Sequence, residues 1–215
     1  MRQTKHEWRK REAQYYLPKE HAEILTVPEF KYVVVKGLGS PDSEEFQARI
    51  GALYAVSYAI RMMPKSGDAP EGYYEYTVYP LEGLWTLDGE WDEFRLLDKS
   101  KLSYDLMIRQ PEFVTEEVLA RALVKAREKA DPGVLDTIEM RNIEDGSCVQ
   151  ILHVGSYDDE PRSFDLIGDF LWSNGLMRTS MKHREIYLNN PQKTEPAALR
   201  TVLRVRVRND TESDR

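Results

Sequence analysis

The sequence has only one cysteine, and none of its apolar runs reaches the length that a transmembrane helix needs. A single cysteine excludes an internal disulfide and is typical of proteins from a reducing compartment. Cys148 lies in the apolar run 148–152, which indicates a small buried side chain rather than a nucleophile. The charged N-terminus does not resemble a signal peptide. We therefore expect a cytoplasmic protein with no membrane partner.

The sequence also lacks an excess of positive charge: its 37 acidic residues outnumber its 30 lysines and arginines, and the formal net charge at pH 7 is −7. A surface that binds nucleic acid needs an excess of lysine and arginine. The basic cluster within residues 5–11 is interrupted by Glu7 and Trp8, which favours a solvated N-terminal arm. The sequence has no helix-turn-helix pattern and no C-x-x-C finger. We expect no direct nucleic-acid partner.

The signatures of common enzyme classes are missing as well. The glycine-containing stretch 37–40 lacks the third glycine of a dinucleotide fingerprint and the lysine of a P-loop. The four histidines are scattered and show no zinc spacing. No G-x-S-x-G nucleophile elbow occurs. We therefore expect neither a metal nor a cofactor.

Aromatic residues are plentiful instead, with twelve tyrosines, four tryptophans and six phenylalanines in 215 residues. Aromatic rings bury large areas, so many of them belong in the core. Tyrosine also needs a partner for its hydroxyl group, and a surplus of tyrosines therefore often lines a cleft.

Two halves of the chain show the same pattern. Residues 35–54 contain an apolar strand, a Gly-Ser turn and a helix with an Ile-Gly pair, and residues 151–172 repeat that order. Residues 73–77 and 183–187 supply a third matching element, in which Glu75 corresponds to Glu185. We predict an N-terminal arm (1–26), a domain (27–208) of two repeats (about 27–132 and about 133–208), and a tail (209–215).

The pattern predicts an α+β fold, a pseudo-twofold tandem repeat of a β-α-β-β module with antiparallel sheets. Helices should cover one sheet face, and a ligand cleft should lie between the repeats. We expect helices from Glu44 to Pro64, from Thr115 to about 131, and over 162–174, with a short helical turn at 196–199. Strands are expected at 32–36, 73–79, 103–108, 149–154, 184–188 and 201–207.

Glu185 and Tyr187 are the first candidates for chemistry. Side chains alternate along a strand, so Ile186 and Leu188 should lie beneath the helices and Glu185 and Tyr187 on the opposite face. A carboxylate among rings attracts a lipophilic cation, and it acts as a general base towards water if desolvation raises its pKa. The alternative is a solvated Glu185 paired with Arg184 or Lys182.

Other aromatic residues could complete a cage around that carboxylate. Tyr79 shares the predicted strand 73–79, and Trp85 follows a glycine bend, where core packing is the commoner fate of a tryptophan. Tyr157 follows the second Gly-Ser turn and either faces a ligand or is simply exposed. Tyr54, Tyr58 and Trp172 fall on predicted helices and are expected to pack, although Tyr58 is also a candidate wall residue.

The chain resembles the GyrI-like small-molecule-binding proteins, in particular their stand-alone branch of roughly 200 residues. Nearly the whole chain carries the resemblance, in the stretches 27–32, 49–54, 76–85, 107–111, 153–157 and 183–188. The last stretch, His183-Arg184-Glu185-Ile186-Tyr187-Leu188, is the most specific. The resemblance implies a tandem α+β fold with a pocket between repeats, and a second-repeat glutamate in an aromatic pocket, which Glu185 matches.

The resemblance also implies a range of functions. The stand-alone branch includes hydrolases of cyclopropane-bearing, DNA-alkylating natural products, which work through an aromatic cage. We expect a monomer or homodimer that binds planar aromatic or cationic lipophilic compounds and hydrolyses strained cyclopropanes, with Glu185 and Tyr187 as catalytic groups. The ligand-binding residues would be Glu185, Tyr187, Tyr58, Tyr79, Trp85 and Tyr157. The alternatives are pure binding, linked to drug sequestration or transcription regulation, and inhibition of a topoisomerase.

Overall fold

The structure, a computed structural model, describes residues 4–87 and 102–210. Among these residues it has helices α1 (Trp8–Arg11), α2 (Ala13–Tyr16), α3 (Glu44–Met62), α4 (Glu116–Ala126), α5 (Pro132–Leu135) and α6 (Glu160–Ser173). The strands are β1 (Glu23–Leu38), β2 (Leu81–Leu87), β3 (Leu102–Arg109), β4 (Glu139–Val154), β5 (Leu176–Arg178), β6 (His183–Tyr187) and β7 (Arg200–Asn209). Short 3₁₀ turns lie at Met63–Ser66, Tyr157–Asp159 and Pro196–Ala198.

Six of the strands form a closed barrel. Antiparallel pairing joins them in the order β4-β1-β3-β2-β6-β7, and β7 pairs again with β4. The strand β5 pairs antiparallel with the C-terminal end of β7. The predicted α+β class with antiparallel strands and helices alongside is confirmed. The cyclic order of the strands stays the same when β1 is exchanged with β4, β2 with β6 and β3 with β7. This symmetry supports the predicted tandem repeat, which itself stays a prediction.

Both long helices pack on the outer face of this barrel. Ser43 accepts a hydrogen bond from the Phe46 amide and so caps α3, whose buried residues include Leu53, Val56 and Ile60 at helical spacing. These residues belong to a cluster with outer-face residues of β1 and β3. The helix α6 packs Ile167 and Leu171 on outer-face residues of β4 and β7 (Val149, Ile151, Leu203 and Val205).

The register of β6 corrects the predicted assignment of sheet faces. Glu185 pairs with Leu203, and Leu203 with Ile151, so Glu185 lies on the same outer face as the helices. Arg184 and Ile186 lie on the inner face, which lines the barrel. The alternation was predicted correctly, but the helix-bearing face is the one with Glu185 and Tyr187. In a closed barrel both faces of a strand can be buried, one beneath the helices and one in the barrel interior. Ile186 is buried in the interior.

The predicted strand 73–79 is wrong. Residues 73–80 form an irregular segment with a single bridge, between Tyr76 and His6. The ring of Phe113 lies 5.2 Å from that of Tyr73 and 5.9 Å from that of Tyr76, so these aromatics pack without pairing. Glu75 forms an ion pair with Arg61 at the surface. The strand next to β6 is β2, in which Gly83 pairs with Glu185.

The N-terminal segment is packed against the barrel, which corrects the predicted solvated arm. The side chain of Trp8 is 3 % exposed and that of Tyr16 is 2 % exposed. The Trp8 indole donates a hydrogen bond to the Val78 carbonyl, 3.0 Å away. Arg109 donates to Glu12 and lies over the Phe30 ring. These contacts tie α1 and α2 to the rest of the domain.

A charged network lies inside the barrel. Arg184, 2 % exposed, donates to the Glu82 carboxylate at 2.9 Å and to both Asp145 oxygens at 2.8 and 3.0 Å. Arg206 also donates to Asp145. Burial opposes the charge on Asp145, but the Arg184 and Arg206 guanidinium groups outweigh it and lower its pKa to about 2. Burial raises the pKa of Glu82.

None of the described helices is long and apolar enough to cross a membrane. Of the predicted C-terminal tail, residues 211–215 lie outside the described residues, and Asn209 ends β7. Trp172, which was expected to pack, is 87 % exposed on α6, so that expectation is wrong.

Candidate functional site

The candidate site lies on the outer face of β6, where His183, Glu185 and Tyr187 point together. The neighbouring position on β2 is Gly83, which has no side chain, and the Trp85 and Tyr187 side chains occupy the space above it. A Cβ atom at Gly83 would lie 2.6 Å from Trp85 Nε1 and 3.2 Å from the Tyr187 hydroxyl. Glycine is therefore required here for the Trp85 and Tyr187 side chains to adopt their positions.

A continuous series of hydrogen bonds connects the side chains of Trp85, Tyr187, Glu185 and His183. The Trp85 indole donates to the Tyr187 hydroxyl at 2.9 Å, and that hydroxyl donates to Glu185 Oε2 at 2.8 Å. His183 Nε2 donates to Glu185 Oε1 at 2.9 Å. Both carboxylate oxygens are held, and Glu185 is 9 % exposed. The carboxylate is thus fixed in position and nearly sealed from bulk water.

Tyr157 closes one side of the site from the turn before α6. Its ring centroid lies 6.0 Å from that of Tyr187, at 88° between the ring planes. The buried His153 holds this turn, because its Nε2 donates to the Ser156 carbonyl and its Nδ1 accepts from the Ser163 hydroxyl, each at 2.9 Å. Burial and the nearby Glu185 charge raise the pKa of Tyr157 to about 12.

Glu160, the first residue of α6, brings a second carboxyl group to the site. Its side chain is 8 % exposed, and one of its oxygens, Oε1, has no hydrogen-bond partner among the described residues. Burial, the negative charge of Glu185 and that of Asp158 raise the pKa of Glu160 to about 9. Ionisation of Glu160 is therefore disfavoured in this site.

Further rings surround the carboxylate pair. The Phe164 ring of α6 lies 4.9 Å from the His183 ring in an edge-on arrangement. The Phe46 ring of α3 stacks on Trp85 at 5.8 Å. Burial and the negative charges of Glu185 and Glu160 raise the pKa of Tyr187. The site therefore lies between the two helices, with rings supplied from both.

Four of the six predicted ligand-binding residues meet in this site: Trp85, Tyr157, Glu185 and Tyr187. The prediction for Tyr79 is corrected, because its buried hydroxyl donates to Glu12 at 2.7 Å and its ring packs against Tyr16. Tyr79 lies beside the N-terminal helices because residues 73–80 form no strand that could align it with Glu185.

Tyr58 lies on the exposed side of α3 and is 50 % exposed. Its ring is 6.3 Å from that of Tyr54, whose pKa is raised by burial. No described contact joins Tyr58 to Glu185, so its role as a wall residue stays a prediction.

Sequence reasoning missed His183, Glu160 and Phe164. The spacing His183-x-Glu185-x-Tyr187 was a usable signal, because residues two apart on a strand share a face. Glu160 and Phe164 lie four residues apart at the start of a helix and therefore share a helix face. That face could not be assigned to the site without knowing where α6 packs.

Two cavities are lined by described residues, and neither lining includes Glu185. A groove of about 310 Å³ runs between residues 20–22 and α6. A cavity of about 140 Å³ at the barrel mouth is bordered by His183, Arg184 and Arg206, among others. In the described arrangement, the rings of His183 and Tyr187 lie against the Glu185 carboxylate, which is 9 % exposed.

Comparison with known proteins finds a family and several similar structures. The family model of the GyrI-like small-molecule-binding domain matches residues 21–208. Three solved structures from Listeria innocua each cover 95 % of this chain and 100 % of their own. An uncharacterized conserved protein is 37 % identical with a TM-score of 0.87, and two proteins described as hydrolases are 35 % and 33 % identical with TM-scores of 0.86 and 0.85. No curated protein sequence matches the chain.

The family model spans the whole barrel and both long helices, and the similar structures match over their full length. The chain therefore belongs to the family of GyrI-like small-molecule-binding proteins.

Proposed function

We propose that the protein binds planar, lipophilic compounds against the Glu185 cluster and hydrolyses those that carry a strained, electrophilic cyclopropane. The observation that carries this proposal is a carboxylate, 9 % exposed, whose two oxygens are held by Tyr187 and His183 inside a group of aromatic rings. Such a hydrolase would protect a cell against DNA-alkylating compounds by destroying them before they reach DNA.

Ligand binding would depend on the rings. Tyr157, Tyr187 and Trp85 offer faces and edges on which a flat ligand stacks, and a cationic ligand is further attracted by Glu185. Tyr157 is 39 % exposed and stands on a short turn, so it is the ring that moves aside to admit the ligand. No hydrogen bond from the described part of the chain engages its hydroxyl, which is therefore free to donate to a ligand carbonyl.

The chemical step is the addition of one water molecule. A C–O bond forms at the unhindered cyclopropane carbon, the strained C–C bond breaks, and its electron pair moves through the conjugated system to the carbonyl oxygen. Glu185 accepts the proton of the attacking water, and the new oxyanion takes a proton from the solvent. Hydrogen bonding from a tyrosine hydroxyl stabilises the charge that develops on that oxygen.

Tyr187, Trp85 and His183 would act as positioning residues in this reaction. Together they fix the plane of the Glu185 carboxylate, which a general base needs in order to face its water molecule. The description of two structures at 33 % and 35 % identity as hydrolases supports a hydrolytic function. The family itself supports binding of small molecules.

Glu185→Gln tests the proposal. Incubation with a cyclopropane-bearing alkylator should yield the ring-opened hydrate in multiple turnovers, measured by chromatography. We expect the variant to lose about 100-fold or more in turnover, the usual size of general-base catalysis, while it still binds a neutral planar ligand. Glu75→Gln, a change at an exposed glutamate, is the matched control and should retain full activity.

A second candidate function is binding without turnover, for sequestration or sensing of a drug. The engagement of both Glu185 oxygens in the free protein favours it, because neither oxygen is left unbound to hold a water molecule. Stoichiometric capture of the alkylator with no product would establish this function and refute hydrolysis. Equal loss of binding and turnover in Glu185→Gln would assign Glu185 to ligand binding alone.

A further inference from the structure

Glu160 is a buried acid without a positive partner. It opens α6, where an ionised carboxylate is normally favoured by the helix dipole and by solvent. Here the side chain is only 8 % exposed, and Oε1 is buried with no hydrogen-bond partner among the described residues. None of the described ion pairs includes it.

The groups facing Glu160 are negative or neutral. Asp158 and Tyr157 approach it from its own segment, and Glu185 and Tyr187 approach it from β6. His183, which can carry a positive charge, donates to Glu185, and none of the described hydrogen bonds joins it to Glu160. An ionised Glu160 would be a second buried negative charge without an ion-pair partner of its own among the described residues, which is strongly unfavourable in proteins.

We propose that Glu160 is the second carboxyl group of the ligand site, that it holds a proton while the site is empty, and that a lipophilic cation displaces this proton on binding. The proposal rests on the proposed function in one respect, namely that ligands bind at the Glu185 cluster. A bound cation beside Glu160 and Glu185 neutralises the negative charge of an ionised Glu160, as the proton does while the site is empty. The raised pKa of Glu160 agrees with this exchange.

The exchange discriminates between ligands. A cation replaces the proton with no net change in the charge of the buried site, so the proton leaves to the solvent. A neutral planar ligand offers no such charge, and the proton stays on Glu160. The site therefore accepts both classes of ligand, and only the cationic class is coupled to pH.

N-methylacridinium and acridine are a matched pair of probes, since both are flat and only the first is charged at about pH 7. Calorimetry in two buffers of different ionisation enthalpy counts the protons released on binding. We expect about one proton per N-methylacridinium and none per acridine. The affinity for N-methylacridinium should also rise between about pH 7 and about pH 9, by at most tenfold per pH unit, because one proton is released.

Glu160→Gln should abolish both the proton release and the pH dependence while the variant still binds the two probes. Asp165→Asn, an exposed acid on the same helix, should behave as wild type. If Glu160→Gln does not fold, infrared difference spectra of the wild type decide, because cation binding must remove the C=O band of a protonated carboxylic acid.

The outcomes separate this proposal from the proposed function. Binding of N-methylacridinium that depends on Glu185 but releases no proton refutes the role of Glu160 and leaves the ligand site intact. Proton release that persists in Glu160→Gln also refutes it. If neither probe binds the wild type, both the ligand site and the proton exchange are refuted.

Discussion

Tyr187 is the residue through which the Glu185 carboxylate is connected to the barrel wall. Its hydroxyl accepts a hydrogen bond from Trp85 and donates one to Glu185. The buried Trp85 ring therefore helps to fix the position of the Glu185 carboxylate through Tyr187. A hydroxyl with two such partners contributes orientation as well as stability.

Tyr187→Phe should therefore reduce catalysis more than binding. The variant keeps the ring but leaves the Trp85 N–H and one Glu185 oxygen without their partner, at an expected cost of about 1–3 kcal/mol in the free energy of unfolding. We expect turnover of a cyclopropane substrate to fall while stacking of a flat ligand is retained. Urea unfolding and product chromatography measure the two effects, and an unchanged turnover would contradict the positioning role.

Sequence reasoning located Glu185 and Tyr187 because strand alternation depends only on local geometry. It misplaced Tyr79, since whether residues 73–79 pair as a strand depends on partners distant in sequence. The tyrosines of this segment favour a strand by propensity, so composition indicated a strand where the structure has none. His183 was overlooked as a site residue although it lies on the same face as Glu185.

At the scale of secondary-structure elements, β2 was the main omission. Its sequence contains Gly83 and follows Pro80, and both residues normally interrupt strands. The structure explains the glycine, because Trp85 and Tyr187 occupy the space where its side chain would stand. Gly83 thus makes β2 hard to predict as a strand, and the candidate site nevertheless requires glycine at this position.

Gly83→Ala tests this explanation, with Gly168→Ala on α6 as its control. The new methyl group at position 83 would displace the Trp85 indole from the Tyr187 hydroxyl, which we expect to destabilise the protein by about 1–3 kcal/mol and to weaken ligand binding. At Gly168 a Cβ atom meets open space, and alanine there should stabilise the helix by about 0.5–1 kcal/mol. Equal effects of the two changes on ligand affinity would contradict the role of Gly83.

Helices were predicted more accurately than strands. The helices α3 and α4 begin within one residue of their predicted starts, behind the capping residues Ser43 and Thr115, because caps and apolar spacing are local signals. The face of β6 that the helices cover was assigned wrongly, since closure into a barrel is a property of all six strands together. No local pattern reports it.

For the molecule as a whole, the barrel is unusual in enclosing charge. Arg184, Glu82 and Asp145 are all buried, so the stability of the folded protein depends on their ionisation. The folded state lowers the pKa of Asp145 to about 2 from an ordinary value of 3.8. A carboxyl group with a lowered pKa contributes stability above its ordinary pKa, and that contribution is lost as the pH falls towards the lowered value.

Asp145→Asn should consequently change the acid response of the protein. At neutral pH we expect the variant to be less stable than the wild type by about 2 kcal/mol or more, because Arg184 and Arg206 lose a partner. The difference should shrink between about pH 4 and about pH 2, where the wild type takes up a proton on Asp145. Urea titrations at several pH values measure it. Asp165→Asn should show no such narrowing, and a constant difference for Asp145→Asn would refute the assignment.

Because side chains alternate along β6, neighbouring residues lie on opposite faces of the barrel wall and are constrained by different contacts. Arg184 and Ile186 belong to the barrel interior, while His183, Glu185 and Tyr187 belong to the proposed ligand site. A shift of this backbone to suit a new ligand would break the ionic network one residue away. Selection for altered drug preference should therefore accumulate substitutions in the turn 157–159 and along the helices, and leave β6 unchanged.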